Sequence, residues 1–292
     1  MDRITSIQYV IASFVLWSLA HSPPGLARLY ARLLDLALPR LRRVAMRNLE
    51  LAYPEKTRAE RKAIVDEVFR SISRLLYSFA RFPGINRENI SQWIRYDGLE
   101  HFLEAKKASH GVLFATAHMG NWELSAFAHG LMTEPMNVVI RPLDNPAADR
   151  LVEQRRQLSG NRLIEKWDGA RAILRALQQN EAVGILIDQN TSLQEGVFVN
   201  FFGTPACANT AFAKIAHRTG AKVIPGFALW LEEEKRYVLR FYPPVEITGD
   251  AAQDTARLHA ILEKVIREFP GQWLWIHRRW KTRPPGESSI YW

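Results

Sequence analysis

The stretch that most constrains this chain is Gly111-Val112-Leu113-Phe114-Ala115-Thr116-Ala117-His118-Met119-Gly120-Asn121-Trp122-Glu123. Its apolar run is too short for a globular helix and opens at Gly111, which predicts a buried strand. The run ends in a polar, glycine-containing turn, and Leu124 to Leu131 then reads as a helix. His118 falls at the carboxyl end of the predicted strand, where open α/β sheets place their ligands. Glu123 falls in the first turn of the helix, within expected reach of the imidazole. A neutral histidine oriented by a carboxylate is a general base for a hydroxyl group.

Spacing alone does not identify such a pair, because His129 and Glu134 repeat it. No apolar strand precedes that second pair and Pro135 follows it, so it reads as the end of a helix. An isolated pair of this kind is more often a satisfied structural histidine. The strand–turn–helix setting distinguishes His118.

Helix and strand signals alternate after this point. Asn137–Arg141, Val183–Asp188, Lys222–Leu231 and Tyr237–Ile247 read as strands. Asn145–Leu158, Lys166–Gln179, Pro205–Arg218 and the amphipathic run through Leu258, Leu262 and Phe269 read as helices. That alternation predicts an α/β fold with a mixed, mostly parallel sheet flanked by helices. Upstream, Gly25–Tyr53 and Lys56–Phe82 read as two helices separated by Pro54.

Ile4 to Ala27 contains no Asp, Glu, Lys or Arg, and Ile7 to Ala20 is strongly apolar. Spanning a bilayer takes about 20 helical residues, and Pro23-Pro24 limits this segment. Anchor, signal peptide and core helix compete; Asp2 and Arg3 cancel, which makes a poor signal sequence. The expectation is a membrane anchor over 1–25, followed by one domain over 26–292, helical over 26–95 with an α/β core over 96–292. Arg28, Arg32, Arg40, Arg42, Arg43 and Arg47 then favour a cytoplasmic placement.

Lys plus Arg number 39 against 30 Asp plus Glu in 292 residues, which fits an anionic partner. A hydrophobic content of 47% supplies a sizeable core and argues against global disorder. Cys207 is the only cysteine, so an intramolecular disulfide and a thiolate metal cluster are excluded. No G-x-S-x-G, G-x-x-x-x-G-K-[ST], H-E-x-x-H or Cys-x-x-Cys motif occurs. A base that activates an outside hydroxyl remains.

Other polar groups have two readings. Arg156 is a candidate for reaching into the site as a phosphate or oxyanion partner, whereas Arg155 reads as solvated. Asp188 follows an apolar strand and is either a cap or a site residue; Gln189 and Asn190 extend that polar rim. Phe198 to Pro205 reads as a hydrophobic loop packed on the core in preference to a channel lining. Trp273 to Gly286 interleaves four cations with aromatics, suiting phosphates, a membrane surface or single-stranded nucleic acid. Trp273 and Trp275 are spaced as on one face of a strand.

Taken together, several blocks resemble the late acyltransferases of lipid A biosynthesis, the lauroyl and myristoyl transferases. They are Ala117-His118-Met119-Gly120-Asn121-Trp122-Glu123-Leu124, Arg141-Pro142 with Asp144-Asn145-Pro146, Asp188-Gln189, Phe201-Phe202-Gly203-Thr204-Pro205, and His277-Arg278-Arg279-Trp280-Lys281-Thr282-Arg283-Pro284. The resemblance implies a glycerolipid-acyltransferase-like fold on the cytoplasmic face of a bacterial inner membrane. It implies transfer of a fatty acyl group from an acyl-carrier-protein thioester to a hydroxyl of a lipid A precursor, without cofactor or metal. His118 and Glu123 fall on the family's catalytic dyad. Arg156, Asp188, Arg141, Asn121, Gln189, Arg278 and Arg279 are the substrate-binding candidates. Expected partners are acyl carrier protein, an anionic glycolipid acceptor and inner-membrane lipids. The alternatives are a lysophospholipid or phosphoinositol-mannoside-type acyltransferase using acyl-CoA and, from another class, a basic nucleic-acid-binding protein.

Overall fold

The computed structural model describes residues 3–165 and 169–292. Four helices come first: α1 (Arg3–Ala20), α2 (Pro24–Ala37), α3 (Pro39–Ala52) and α4 (Arg58–Arg81). The span expected as one helix over Gly25–Tyr53 is two, because Pro39 has no N–H to continue the α2 ladder and holds Leu38 out of the helical region. Helix α4 begins where Thr57 and Glu60 form a reciprocal capping box.

The body then alternates β1 (Ile94–Asp97), α5 (Leu99–Lys107), β2 (Val112–Thr116), α6 (Trp122–Met132), β3 (Asn137–Ile140), α7 (Pro146–Gln157), β4 (Arg162–Glu165), α8 (Gly169–Gln178) and β5 (Ala182–Leu186). It continues through β6 (Gly196–Phe201), β7 (Thr204–Asn209), α9 (Ala211–Thr219), β8 (Lys222–Leu231), β9 (Arg236–Phe241) and α10 (Ala251–Glu268). Seven strands form one sheet in the order β1-β9-β8-β2-β5-β3-β4. Within this sheet, among the described residues, only the β8–β9 pair is antiparallel, so the mostly parallel α/β sheet expected from the alternation is present.

Central strand β2 shows why its sequence is a continuous apolar run. Leu113 packs in one cluster with Ile173 and Leu177 of α8 and Phe212 of α9, while Phe114 packs in another with Phe102 of α5 and Phe127 of α6. Successive side chains enter opposite cores, so every position must be apolar.

Several expectations are corrected. Pro205 to Arg218 is not one helix, and Phe198 to Pro205 is not a loop: β6 and β7 form a hairpin across Phe202-Gly203. Both turn residues have positive φ, 54° and 75°, which is the backbone of a tight primed turn. Helix α9 starts only after it. The preferred packing of that region holds nevertheless, since Phe201 and Phe202 are buried in the core. Strand β9 stops at Phe241 ahead of Pro243-Pro244. Trp273 and Trp275 are buried edge to face, 4.7 Å apart, but in an irregular segment whose backbone bridges Met119. The expected helix start at Lys166 lies outside the described residues.

The anchor expected over residues 1–25 is not supported as a membrane span. Among the described residues no helix is long and apolar enough to cross a membrane. Helix α1 stops at Ala20 and lies against α4 and α7, and Leu19 is buried with Ala27 and Ala80.

Candidate active site

Strands β2 and β5 are parallel neighbours, and Thr116 pairs in register with Leu186. His118 and Asp188 each lie two residues beyond that pair, so the ladder delivers them side by side at the carboxyl edge of the sheet. The Ile187 N–H still donates to Thr116 O at 2.9 Å, extending the ladder to the doorstep of the site. His118 Nδ1 is 2.9 Å from Asp188 Oδ1, and the His118 backbone N–H donates to Asp188 Oδ2 at 3.1 Å. Trp273 Nε1–H donates to the same Oδ2 at 2.9 Å.

Asp188 is only 3% exposed. Burial alone would push its carboxyl up, but His118 and the three hydrogen bonds hold it below the usual carboxylate range. An ionised carboxylate can only accept, so Nδ1 of His118 carries the proton and Nε2 keeps its lone pair when the ring is neutral. Nε2 lies 3.5 Å from the side-chain nitrogen of exposed Gln189, on the open side of the ring. Burial disfavours charge on His118, yet the Asp188 carboxylate and its hydrogen bond outweigh that, and the imidazole is more basic than an ordinary histidine.

Glu123 does not hold the imidazole, contrary to expectation. It accepts two hydrogen bonds from Arg156, at 2.9 Å and 2.6 Å, in a bidentate pair whose side chains are mostly buried. Helix α6 starts at Trp122, so its first turn aims Glu123 at α7, where Arg156 stands in the last turn. The carboxylate still acts on the ring at longer range: its charge favours protonated His118, and Arg156 opposes it. Removing one member of a mostly buried ion pair strands its partner's charge. Glu123→Gln and Arg156→Gln should therefore each destabilise the fold by about 3 kcal/mol, with the double variant costing well below the sum. Denaturant midpoints of the three variants measure this, and additive losses would mean that the pair is not coupled.

The turn between His118 and α6 is fixed by backbone bonds. Gly120 N–H donates to Gln272 O at 2.8 Å, Asn121 N–H to Ala228 O at 2.9 Å, and Leu274 N–H to His118 O at 3.0 Å. Gly120 has φ +58°, and a Cβ there would meet Ala228 O at 1.9 Å. Gly120→Ala should cost at least about 2 kcal/mol in thermal or denaturant unfolding. An unchanged midpoint would show that the turn can move away from β8.

A profile of the family described as bacterial lipid A biosynthesis acyltransferase matches residues 3–282. The chain is 32% identical to the lipid A biosynthesis lauroyltransferase of Escherichia coli K12 over 284 residues, covering 95% of this chain and 92% of that one. It is 31% identical to the palmitoleoyltransferase of the same strain over 283 residues, again 95% and 92%. With the myristoyltransferase it shares 28% over 252 residues, 86% of this chain and 78% of the relative. The chain belongs to the bacterial lipid A biosynthesis acyltransferases. It is an O-acyltransferase, which sets aside the nucleic-acid-binding reading.

In this acyltransferase several expected substrate-binding residues stand elsewhere. Asn121 is 0% exposed; its side chain caps α6 by accepting from Leu124 N–H and donates to Ser78 Oγ at 2.7 Å, so it is turned into the protein interior. Arg279 is also 0% exposed, donating to Cys207 O beneath the Phe201 ring, and burial pushes its guanidinium down to about 10. Asp188 lies behind the imidazole, bonded to His118 and Trp273. Arg141 is exposed beyond β3, 3.5 Å from Asp144, and Arg278 stacks on Tyr291. Arg155 is half-buried, not solvated.

The basic aromatic block near the C-terminus serves mainly as a clamp on the Asp188 loop. Asn190 N–H donates to His277 Nε2 at 3.1 Å, and Asn190 and Thr282 exchange two hydrogen bonds. Burial pushes His277 down to about 4, so it stays neutral near pH 7. The spacing of Trp273 and Trp275 predicts a strand face, whereas the Trp273 indole nitrogen holds the buried carboxylate.

Proposed function

We propose that the enzyme moves a fatty acyl chain from an acyl-carrier-protein thioester directly to a hydroxyl of a lipid A precursor, with His118 as general base. The observation that carries this reading is the His118 ring itself: Nδ1 is tied to buried Asp188, and basic Nε2 is turned to the open side beside Gln189. An acceptor hydroxyl taking the place of the Gln189 amide gives its proton to Nε2 as its oxygen attacks the thioester carbon. The C–S bond then breaks, and the imidazolium returns the proton to the departing thiolate. Asp188 stabilises the charged ring throughout. Arg156, partly exposed and steadied by Glu123, is the cation available to the oxyanion or to an acceptor phosphate.

A membrane-surface location is part of this reading. Ile7, Val10, Ile11, Phe14 and Trp17 are all exposed and recur along one face of α1; Leu29, Leu33 and Leu36 do the same on α2. A contiguous apolar face on a helix too short to span suits a position in the bilayer interface, on the cytoplasmic side where a carrier-protein thioester is found.

The test is product identification. Purified enzyme is given acyl-carrier-protein or acyl-CoA donors, with a tetra-acylated or penta-acylated lipid A precursor or a lysophospholipid as acceptor. The expected product is a lipid A precursor heavier by one acyl group, formed from the carrier-protein donor. Exclusive acylation of the lysophospholipid from acyl-CoA would overturn the proposal.

A further inference from the structure

Outside the His118 site, a cavity of about 460 Å³ lies between α3, the start of α4 and Trp292, and Arg43, Arg47, Glu50, Arg58, Lys62 and Trp292 are among the residues that line it. Arg42 is already neutralised by Asp35 and Asp66, at 2.6 Å and 2.7 Å, and Arg47 pairs with Glu50 at 3.3 Å. Among the described residues no carboxylate lies within ion-pair distance of Arg43, Arg58 or Lys62. Three uncompensated cations therefore line one open concavity, and gathering them without an anion costs Coulomb repulsion. Trp292, 59% exposed, forms an indole wall under Arg43, whose guanidinium carbon is 5.6 Å from the ring centre.

The surroundings favour one kind of anion. Arg42 ties the cavity to the end of α2 through Asp35, and Leu36 and Leu38 are exposed at that end. An exposed indole beside basic side chains, one of them tied through Asp35 to the helix end that carries exposed leucines, has the chemistry of the level where phosphates meet acyl chains. We propose that this cavity is a binding site for the phosphate of an anionic lipid headgroup, separate from the acyl-transfer site. The assignment rests on the membrane-surface reading of α1 and α2 but not on the reaction at His118. Phosphate oxygens would take hydrogen bonds from Arg43, Arg58 and Lys62, while the glycerol or sugar packs on Trp292.

Flotation of the full chain with phosphatidylcholine vesicles, with and without phosphatidylglycerol, tests this. The wild type should bind both and prefer the anionic vesicles. The triple variant Arg43→Gln, Arg58→Gln, Lys62→Gln should lose roughly 100-fold in affinity for the anionic vesicles alone. Arg171→Gln, Arg175→Gln, Lys214→Gln, which removes equal charge from α8 and α9, should lose little. Equal losses in the two triple variants would reduce the effect to net charge and overturn the site. Equal binding of both vesicle types by the wild type overturns the site while leaving the membrane reading intact, and binding to neither overturns both. If the pocket variant keeps its vesicle binding but loses affinity for acyl carrier protein or for inorganic phosphate alone, the cavity serves that ligand and the lipid assignment falls.

Discussion

His118→Ala should lower acyl transfer by on the order of 10²–10⁴-fold while the purified protein still unfolds cooperatively. The imidazole is 16% exposed, bonded through Nδ1 to Asp188 and packed edge-on against Trp122 at the sheet edge, so its loss removes the proton acceptor from the rim of the site rather than from a core. Binding of donor and acceptor should persist, because the turn after His118 is held by backbone bonds of His118, Gly120 and Asn121 that do not involve the ring. The loss should therefore fall in kcat rather than KM. His129→Ala is the matched control. That ring is enclosed by Phe102, Phe114 and Phe241, with Nδ1 2.7 Å from Tyr96 Oη, and burial pushes it down to about 3. Its removal should reduce stability and leave turnover per folded molecule near the wild-type value. Ordinary turnover by His118→Ala would remove the base from the mechanism, and a catalytic loss confined to His129→Ala would relocate it.

Asp188→Asn should reduce kcat by on the order of 10³-fold or more, a larger effect than neutralising Glu123. The carboxylate accepts from three donors: the ring Nδ1–H and backbone N–H of His118, and Trp273 Nε1–H. An amide has a single acceptor oxygen and an NH₂ that faces one of those donors, so the ring turns or changes tautomer and Nε2 loses its lone pair. The pH profile gives an independent readout. His118 works as a base only when neutral, and Asp188 raises its pKa, so wild-type activity is present above that raised pKa and is lost as pH falls through it. Removing the negative charge lowers the pKa, and the acid limb of the residual activity should move to lower pH. Glu123→Gln should move it the same way by less, since Glu123 contributes after Asp188. An acid limb that stays in place in Asp188→Asn, with kcat intact, would sink the assignment of Asp188 as the positioning carboxylate.

The site illustrates which parts of a fold can be read along a chain. The His118 turn was legible because every signal for it is local: a short apolar run, a glycine turn, and a helix start. The control pair at His129 was legible for the same reason, since Pro135 closes its helix whatever packs on it. The break at Leu38-Pro39 and the hairpin at Phe202-Gly203 were misread for a different reason. In the first, helical periodicity runs straight across a residue that cannot donate. In the second, an apolar segment of strand length continues into residues that read equally well as the start of α9. Asn121 and Arg279 look like ligand-binding residues in sequence, and only their burial shows that Asn121 is tied to Leu124 and Ser78 and that the Arg279 guanidinium is enclosed, with one nitrogen bonded to Cys207 O and Nε and Nη2 without a hydrogen-bond partner among the described residues.

Sequence by itself determined the layered α/β plan, the strand that ends at His118 and the family to which the blocks belong, because periodicity and turn chemistry are properties of neighbouring residues. Tertiary structure decided which carboxylate holds the imidazole. Chain order offers Glu123, five residues away; the sheet offers Asp188, seventy residues away, because β5 returns to pair beside β2 and the register of parallel strands carries both side chains to the same edge. A helix turn sends Glu123 to Arg156 instead. Hydrogen bonds between strands are indifferent to separation along the chain, so no local pattern could have made that choice.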